Sequence, residues 1–145
     1  MRYAARATRV LLIEDNPADV YLVRLFLDRL GAALELQVAT DGEQALELLA
    51  VSAHDPSLLP ELILLDLNLP KVDGWELLRR VKTDARLATI PVVVLSSARS
   101  EAEVASCYRL HANAFVSKRE EPHEMERSLK SLSEFWFNTV QLPRC

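Results

Sequence analysis

Long apolar runs are missing from this chain of 145 residues. None approaches the roughly 18 to 20 residues that a bilayer-spanning helix needs, so no membrane segment is expected. Val10–Ile13, behind Arg2, Arg6 and Arg9, is too short for a signal-peptide core and runs straight into Glu14 and Asp15. Cysteine is scarce as well. Cys107 and Cys145 are the only two, too few for a disulfide framework and suited to free thiols in a reducing compartment. A basic stripe is also lacking: 17 Lys and Arg stand against 21 Asp and Glu, a formal net charge of −4. That balance speaks against direct DNA or RNA binding. Internal repeats and low-complexity segments are absent too. What is left is a globular composition, 50% hydrophobic and 26% charged, of a length for one ordinary domain. The expected setting is cytoplasmic.

Five short apolar runs are present: Arg9–Ile13, Leu34–Ala39, Leu62–Leu65, Val92–Leu95 and Ala114–Val116. Each is followed by a turn signal and then by a segment of helical periodicity. Their continuous apolar character predicts strands buried on both faces, as in a parallel sheet. Five βα alternations predict an α/β fold, a doubly wound five-stranded parallel sheet in the flavodoxin-like order 2-1-3-4-5 flanked by five helices. Helix signals agree. Asn16 before Pro17 forms an N-cap with proline at the first helical position, and Gly31 closes that helix. Asp41 with Gln44, Asp73 with Glu76 and Ser100 with Glu103 have capping-box spacing. His54–Pro60 is the one irregular stretch. Residues 1–145 are expected to form a single domain, with a core at about 9–133 and a C-terminal helical extension at about 134–145.

The chemistry-bearing residues lie where these runs end, the edge at which open parallel sheets collect their active groups. Glu14 and Asp15 follow the first run, Asp66 the third, Ser96 and Ser97 the fourth, and Lys118 the fifth. With strands one, three, four and five side by side, these groups converge on one rim. Three packed carboxylates repel one another and need compensation. A divalent ion with oxygen preference, typically Mg²⁺, together with one ammonium from Lys118, balances them. A Ser96 hydroxyl adds a neutral donor for an anionic group above the metal. The pattern describes a metal-assisted phosphoryl acceptor with one carboxylate as nucleophile. An acidic pair after one strand is by itself ordinary loop charge, and an isolated Lys or Ser at a strand end means nothing. Four such features at four strand ends, in order, carry the reading.

At these residues the sequence resembles the receiver domains of two-component response regulators. VLLIEDNPADV resembles the family's acidic-pair loop, and LILLDLNLPKVDGWELL its phosphoacceptor strand, with D-x-N-x-P-x-x-D-G intact from Asp66 to Gly74. IPVVVLSSA resembles the strand bearing the switch hydroxyl, and ANAFVSK the strand ending in the lysine. The resemblance covers roughly Val10 to Phe137. It implies that Asp66 is the phosphoacceptor. It also implies that Asp15 and Asp66 bind Mg²⁺ directly, Mn²⁺ substituting, joined by the backbone carbonyl of Asn68, with Glu14 acting near the metal through water. Ser96 would hydrogen-bond the phosphoryl oxygen, Lys118 would pair with it, and Phe115 would be the aromatic switch. The implied donor is a sensor histidine kinase, docking on the first helix (Ala18, Val20, Tyr21) and the Arg119–Pro122 loop. Asn68 and Ala98 occupy the two positions that tune phosphoryl lifetime in the family. Such a protein is a phosphoacceptor and not an enzyme, beyond catalysing its own phosphorylation and dephosphorylation.

Two departures stand out. The family often has two aspartates where this chain has Glu14–Asp15. A proline normally follows the lysine through a cis bond, but Arg119 stands here, and a cis bond before a non-proline costs about 3 kcal/mol. More narrowly, the insertion before strand three and a last helix running into SLSEFWFNTVQLP resemble the single-domain response regulators that accompany bacterial and cyanobacterial phytochromes. The partner so implied is a bacteriophytochrome-type kinase, and no DNA-binding or enzymatic output domain is expected after Cys145.

Rival classes fit less well. A Toprim-like domain or a haloacid-dehalogenase-type phosphotransferase wants a second aspartate at Asn68. A pseudo-receiver, a phosphorylation-independent interaction module, has no need of the complete set of Glu14, Asp15, Asp66, Ser96 and Lys118. His54, His111 and His123 lack metal-site grouping, and Trp75 is expected to pack. In the last helix, Met125, Leu129, Leu132 and Trp136 form one stripe for the sheet. Phe135, Phe137, Val140 and Leu142 are left without a core position, and such a patch predicts a homodimer through the last helix and tail.

Overall fold

The computed structural model describes residues 7–31, 33–97 and 100–143. The readings made for Arg2, Arg6, Ala98 and Cys145 fall outside these residues. The order is β1 (Thr8–Ile13), α1 (Pro17–Arg29), β2 (Leu34–Ala39), α2 (Gly42–Ser52), β3 (Leu62–Leu65), α3 (Gly74–Thr83), β4 (Val92–Ser96), α4 (Glu101–Arg109), β5 (Ala114–Ser117) and α5 (Pro122–Ser133). A 3₁₀ turn at Pro56–Leu58 fills the irregular stretch, and a π-helical turn, Glu134–Thr139, follows α5. The strands pair in parallel in the order β2-β1-β3-β4-β5, the doubly wound arrangement that the alternation predicts.

Alternate residues of the central strands point to opposite faces, which gives two apolar layers. Leu11, Ile13, Ile63, Leu65, Val92 and Val94 pack against α2, α3 and Cys107 of α4. Val10, Leu12, Leu62, Leu64, Val93 and Leu95 pack against Val23, Phe26 and Leu27 of α1 and Met125, Leu129 and Leu132 of α5. β1, β3 and β4 are buried on both faces, as expected. β2 and β5 depart from that expectation. β2 alternates half-buried Leu34, Leu36 and Val38 with exposed Glu35 and Gln37, and β5 is at most half-buried. Both are edge strands, with one face or rim open to water.

Asn16 caps α1 by accepting the Ala18 and Asp19 amides, and Gly31 ends the helix at φ +70°. Asp41, Asp73 and Ser100 each accept the amide three residues on, at 2.7, 2.9 and 3.1 Å. The reciprocal half of the capping box differs in the first two. Gln44 reaches the Thr40 amide instead (2.7 Å), and Glu76 turns to Arg79 and Arg80. Gly74 is required by close approach: a Cβ there would lie 2.4 Å from Leu67 Cα and 2.6 Å from the Asp66 carbonyl oxygen. α3 therefore starts hard against the backbone that carries Asp66.

The tail departs from expectation. Phe137 packs against the α1–α5 layer beside Trp136, and Leu142 is buried. Within the π-helical turn the Val140 amide donates to the Phe135 carbonyl at 2.9 Å, five residues back. Trp136 and Phe137, adjacent in this turn, both pack toward the domain. Phe135 is the large apolar group left outside, 49% exposed.

Candidate functional site

The carboxyl ends of β1, β3, β4 and β5 bring the expected groups to one cleft, a cavity of about 620 Å³ lined by Asp15, Asp19, Asp66, Asn68, Ser97 and Lys118 among others. Asp66 forms its floor and is buried. Its Oδ1 accepts the Ser96 hydroxyl at 3.0 Å and the Asn68 amide at 3.2 Å, and its Oδ2 accepts the Lys118 ammonium at 3.2 Å. Ser96 has no solvent exposure, whereas Ser97 is exposed and lines the cleft. Of the adjacent serines, the strand's alternation turns only Ser96 inward to the carboxylate.

Lys118 reaches the site from β5. Its backbone amide donates to the Ser96 carbonyl at 2.9 Å, and its Nζ donates to Glu14 Oε1, to Asp19 Oδ2 at 2.9 Å and to Asp66. Burial pulls the Lys118 ammonium down, but its hydrogen bonds to Glu14 and Asp19 outweigh this and hold it above the ordinary lysine range. Glu14 is buried, and its Oε2 accepts the Asn16 amide at 3.2 Å. Burial first, and then the hydrogen bond with Asp66, push its carboxyl up to about 8, with Lys118 pulling the other way. Excess negative charge with too little water around it is the physical state of this rim.

Glu14, Asp15 and Asp66 each offer an oxygen within 4.8 Å of the others, the grouping that could hold a cation. Hard oxygen donors in an undercompensated cluster fit a small divalent ion such as Mg²⁺ or Mn²⁺. Asn68 is exposed at the cleft. Phe115 is half-buried against the α2–α4 layer, and its backbone amide donates to the Tyr108 hydroxyl at 3.1 Å. All described peptide bonds are trans, that between Lys118 and Arg119 included. Trp75 packs against the core, and His54, His111 and His123 are exposed and apart. In α1, Ala18 and Tyr21 are exposed, but Val20 packs inward.

Asp19 was not among the residues singled out from the sequence. Its bond to Lys118 joins positions 99 apart, and an acid in the first turn of a helix already has a local explanation in the helix dipole. No local signal separates the two roles.

This fold and this rim define a class. The chain matches the response regulator receiver domain family over residues 10–130, and it belongs to that family. Among its relatives is the response regulator Rcp1 of Synechocystis sp. (strain ATCC 27184 / PCC 6803 / Kazusa), 38% identical over 92% of this chain and 92% of that protein. The crystal structure of the phosphorylated cyanobacterial phytochrome response regulator RcpA superposes with a TM-score of 0.88 at 37% identity, covering 95% of this chain and 99% of that one. The Mn²⁺-bound form of Rcp1 superposes with a TM-score of 0.87 at 38% identity, covering 94% and 99%. Among the described residues no helix is long and apolar enough to cross a membrane.

Proposed function

We propose that this chain is a phosphorylation-controlled signalling switch whose phosphoacceptor is Asp66. The observation that carries the reading is the environment of that carboxylate. It is buried, fixed on one oxygen by Ser96 and Asn68, paired on the other with Lys118, and open to the cleft beside Glu14 and Asp15. In the reaction a carboxylate oxygen bonds to phosphorus as the phosphorus–nitrogen bond of a phosphohistidine breaks, and the imidazole leaves. Glu14, Asp15, Asp66 and the Asn68 carbonyl would hold Mg²⁺, with Mn²⁺ able to substitute, and the ion would supply the positive charge an anionic donor needs. Lys118 pairs with the transferred group, Ser96 turns its hydroxyl toward it, and Phe115 answers by repacking.

The donor is a sensor histidine kinase of the bacteriophytochrome type, a reading supported by the likeness to a cyanobacterial phytochrome response regulator. The full chain acts as one receiver domain with a core at about 9–133 and an extension at about 134–145, paired as a homodimer through α5 and the tail. Phe135 supports the pairing: it is exposed beside a groove lined by Val116, Arg127, Leu132 and Trp136. A phosphorylation-independent interaction module is the weaker reading, since it has no use for a complete set of acidic, hydroxyl and ammonium groups. The experiment is labelling by a phosphohistidine donor or a small acyl phosphate, with and without Mg²⁺. Labelling should need the ion and vanish in Asp66→Asn; equal labelling of that variant and wild type would sink the assignment. Sedimentation of wild type against Phe135→Ser tests the dimer, which a monomeric wild type at micromolar concentration would exclude.

A further inference from the structure

We infer that Asp19 is a positioning residue for the cation site: it draws the Lys118 ammonium toward the rim and so limits its competition with a divalent ion for Glu14 and Asp66. The inference rests on the cation-binding part of the reading above. Lys118 has three N–H donors and three carboxylate acceptors, Glu14, Asp19 and Asp66. Two of these, Glu14 and Asp66, also belong to the three-carboxylate cluster suited to a cation. The ammonium and a divalent ion therefore compete for the same oxygens. Among the described residues, Asp19 is the one acceptor of the Lys118 ammonium outside that cluster. It is also the outermost, its side chain 26% exposed against 3% for Glu14 and 6% for Asp66.

The tether is rigid at its base. Asp19 sits in the first turn of α1, which Asn16 caps and Pro17 opens, and the helix is seated on the sheet through Val23, Phe26 and Leu27. At the other end the Lys118 amide is fixed to the Ser96 carbonyl, so freedom lies in the side-chain stem and in the residues beyond it. Arg119, Glu120 and Glu121 beyond Lys118 are exposed, and no side chain caps the start of α5. An ammonium on a flexible stem takes its position from its charge partners. With Asp19 neutralised, the ammonium should settle wholly on Glu14 and Asp66, where it blocks the cation both by occupying oxygens and by its charge.

Asp19→Asn also removes one negative charge near the cation, so a single variant does not separate tethering from general electrostatics. A double-mutant cycle does. Mn²⁺ affinity would be read from the electron paramagnetic resonance signal of the free ion, on the intact chain, for wild type, Asp19→Asn, Lys118→Met and the double variant. Asp19→Asn should weaken Mn²⁺ binding about tenfold, and Lys118→Met should tighten it. In the Lys118→Met background the same Asp19→Asn change should cost only about twofold, because a screened charge is all that remains to be lost. Asp19→Glu should recover most of the affinity. Equal losses in both backgrounds, or no loss at all, would overturn the inference and leave the phosphoacceptor reading standing. Absence of Mn²⁺ binding in wild type would overturn it together with the cation site. Loss of Asp66 labelling alone would bear only on the phosphoacceptor.

Discussion

A hydroxyl with no solvent exposure must find its partners inside the protein, and Ser96 gives its proton to Asp66 at 3.0 Å. Ser96→Ala keeps the volume nearly unchanged and removes that donor. The expected cost in stability is about 1 kcal/mol, the net worth of one hydrogen bond. The variant should still be labelled by a small acyl phosphate but should show a weakened structural response. A full wild-type change in fluorescence or partner binding on phosphorylation would show that Ser96 does not couple the site to its surroundings. Ser96, Glu14, Asp15, Asp66 and Lys118 were all legible in the sequence for one reason: each lies within two residues of the end of an apolar run, so the strand that ends there fixes its place. Asp19 was not, because its partner is distant in sequence and its own position already suits a helix start. The link between the Phe115 amide and Tyr108 was equally hidden, since a backbone donor carries no residue signature.

At the scale of elements, all five strands and their order were readable from the sequence, but the exposure of the edge strands β2 and β5 was not. LELQVA in β2 alternates, and alternation means one wet face. The tail was not legible from one apolar stripe, because adjacent helical positions such as Trp136 and Phe137 share a face and Leu142, beyond the turn, follows no helical period. Gly74 is where an element boundary and the site meet. Gly74→Ala places a methyl group against the Asp66–Leu67 backbone, where no flexible side chain can give way. Overpacking of this kind costs roughly 1–3 kcal/mol, and relief requires α3 to move away from β3. The denaturation midpoint should fall accordingly, and labelling of Asp66 should slow at saturating Mg²⁺. A variant with wild-type midpoint and labelling rate would mean that α3 is not seated against this backbone.

For the whole molecule, the crowding of acidic groups at one rim links folding to pH. The Glu14 carboxyl, ordinarily near 4.5, is held at about 8 in the folded chain by burial and by Asp66. Between those values the folded chain keeps a proton that the unfolded chain has released. Stability in the presence of a chelator should therefore be highest below about pH 4.5 as far as this group is concerned. It should fall as pH rises through 8, by at most about 1.4 kcal/mol per pH unit. Millimolar Mg²⁺ should flatten the slope by taking the proton's place among the carboxylates. Urea titrations from pH 5 to 8, with and without Mg²⁺, measure this directly. Identical slopes in the two series would show that the ion and the Glu14 proton do not exclude each other.

The rim of β5 bears on how these molecules behave when crowded together. An open strand edge is a template on which a second chain can lengthen the sheet. The Tyr108 hydroxyl already occupies the Phe115 amide, so one rung of that template is filled from within. Tyr108→Phe keeps the ring and vacates the rung. Its unfolding midpoint should shift by no more than about 1 kcal/mol in equivalent stability. Light scattering of concentrated, gently warmed solutions should nevertheless rise above wild type, and equal scattering would show that this edge is guarded by other means. A single phenol oxygen thus contributes to colloidal behaviour: it helps the sheet stop at five strands.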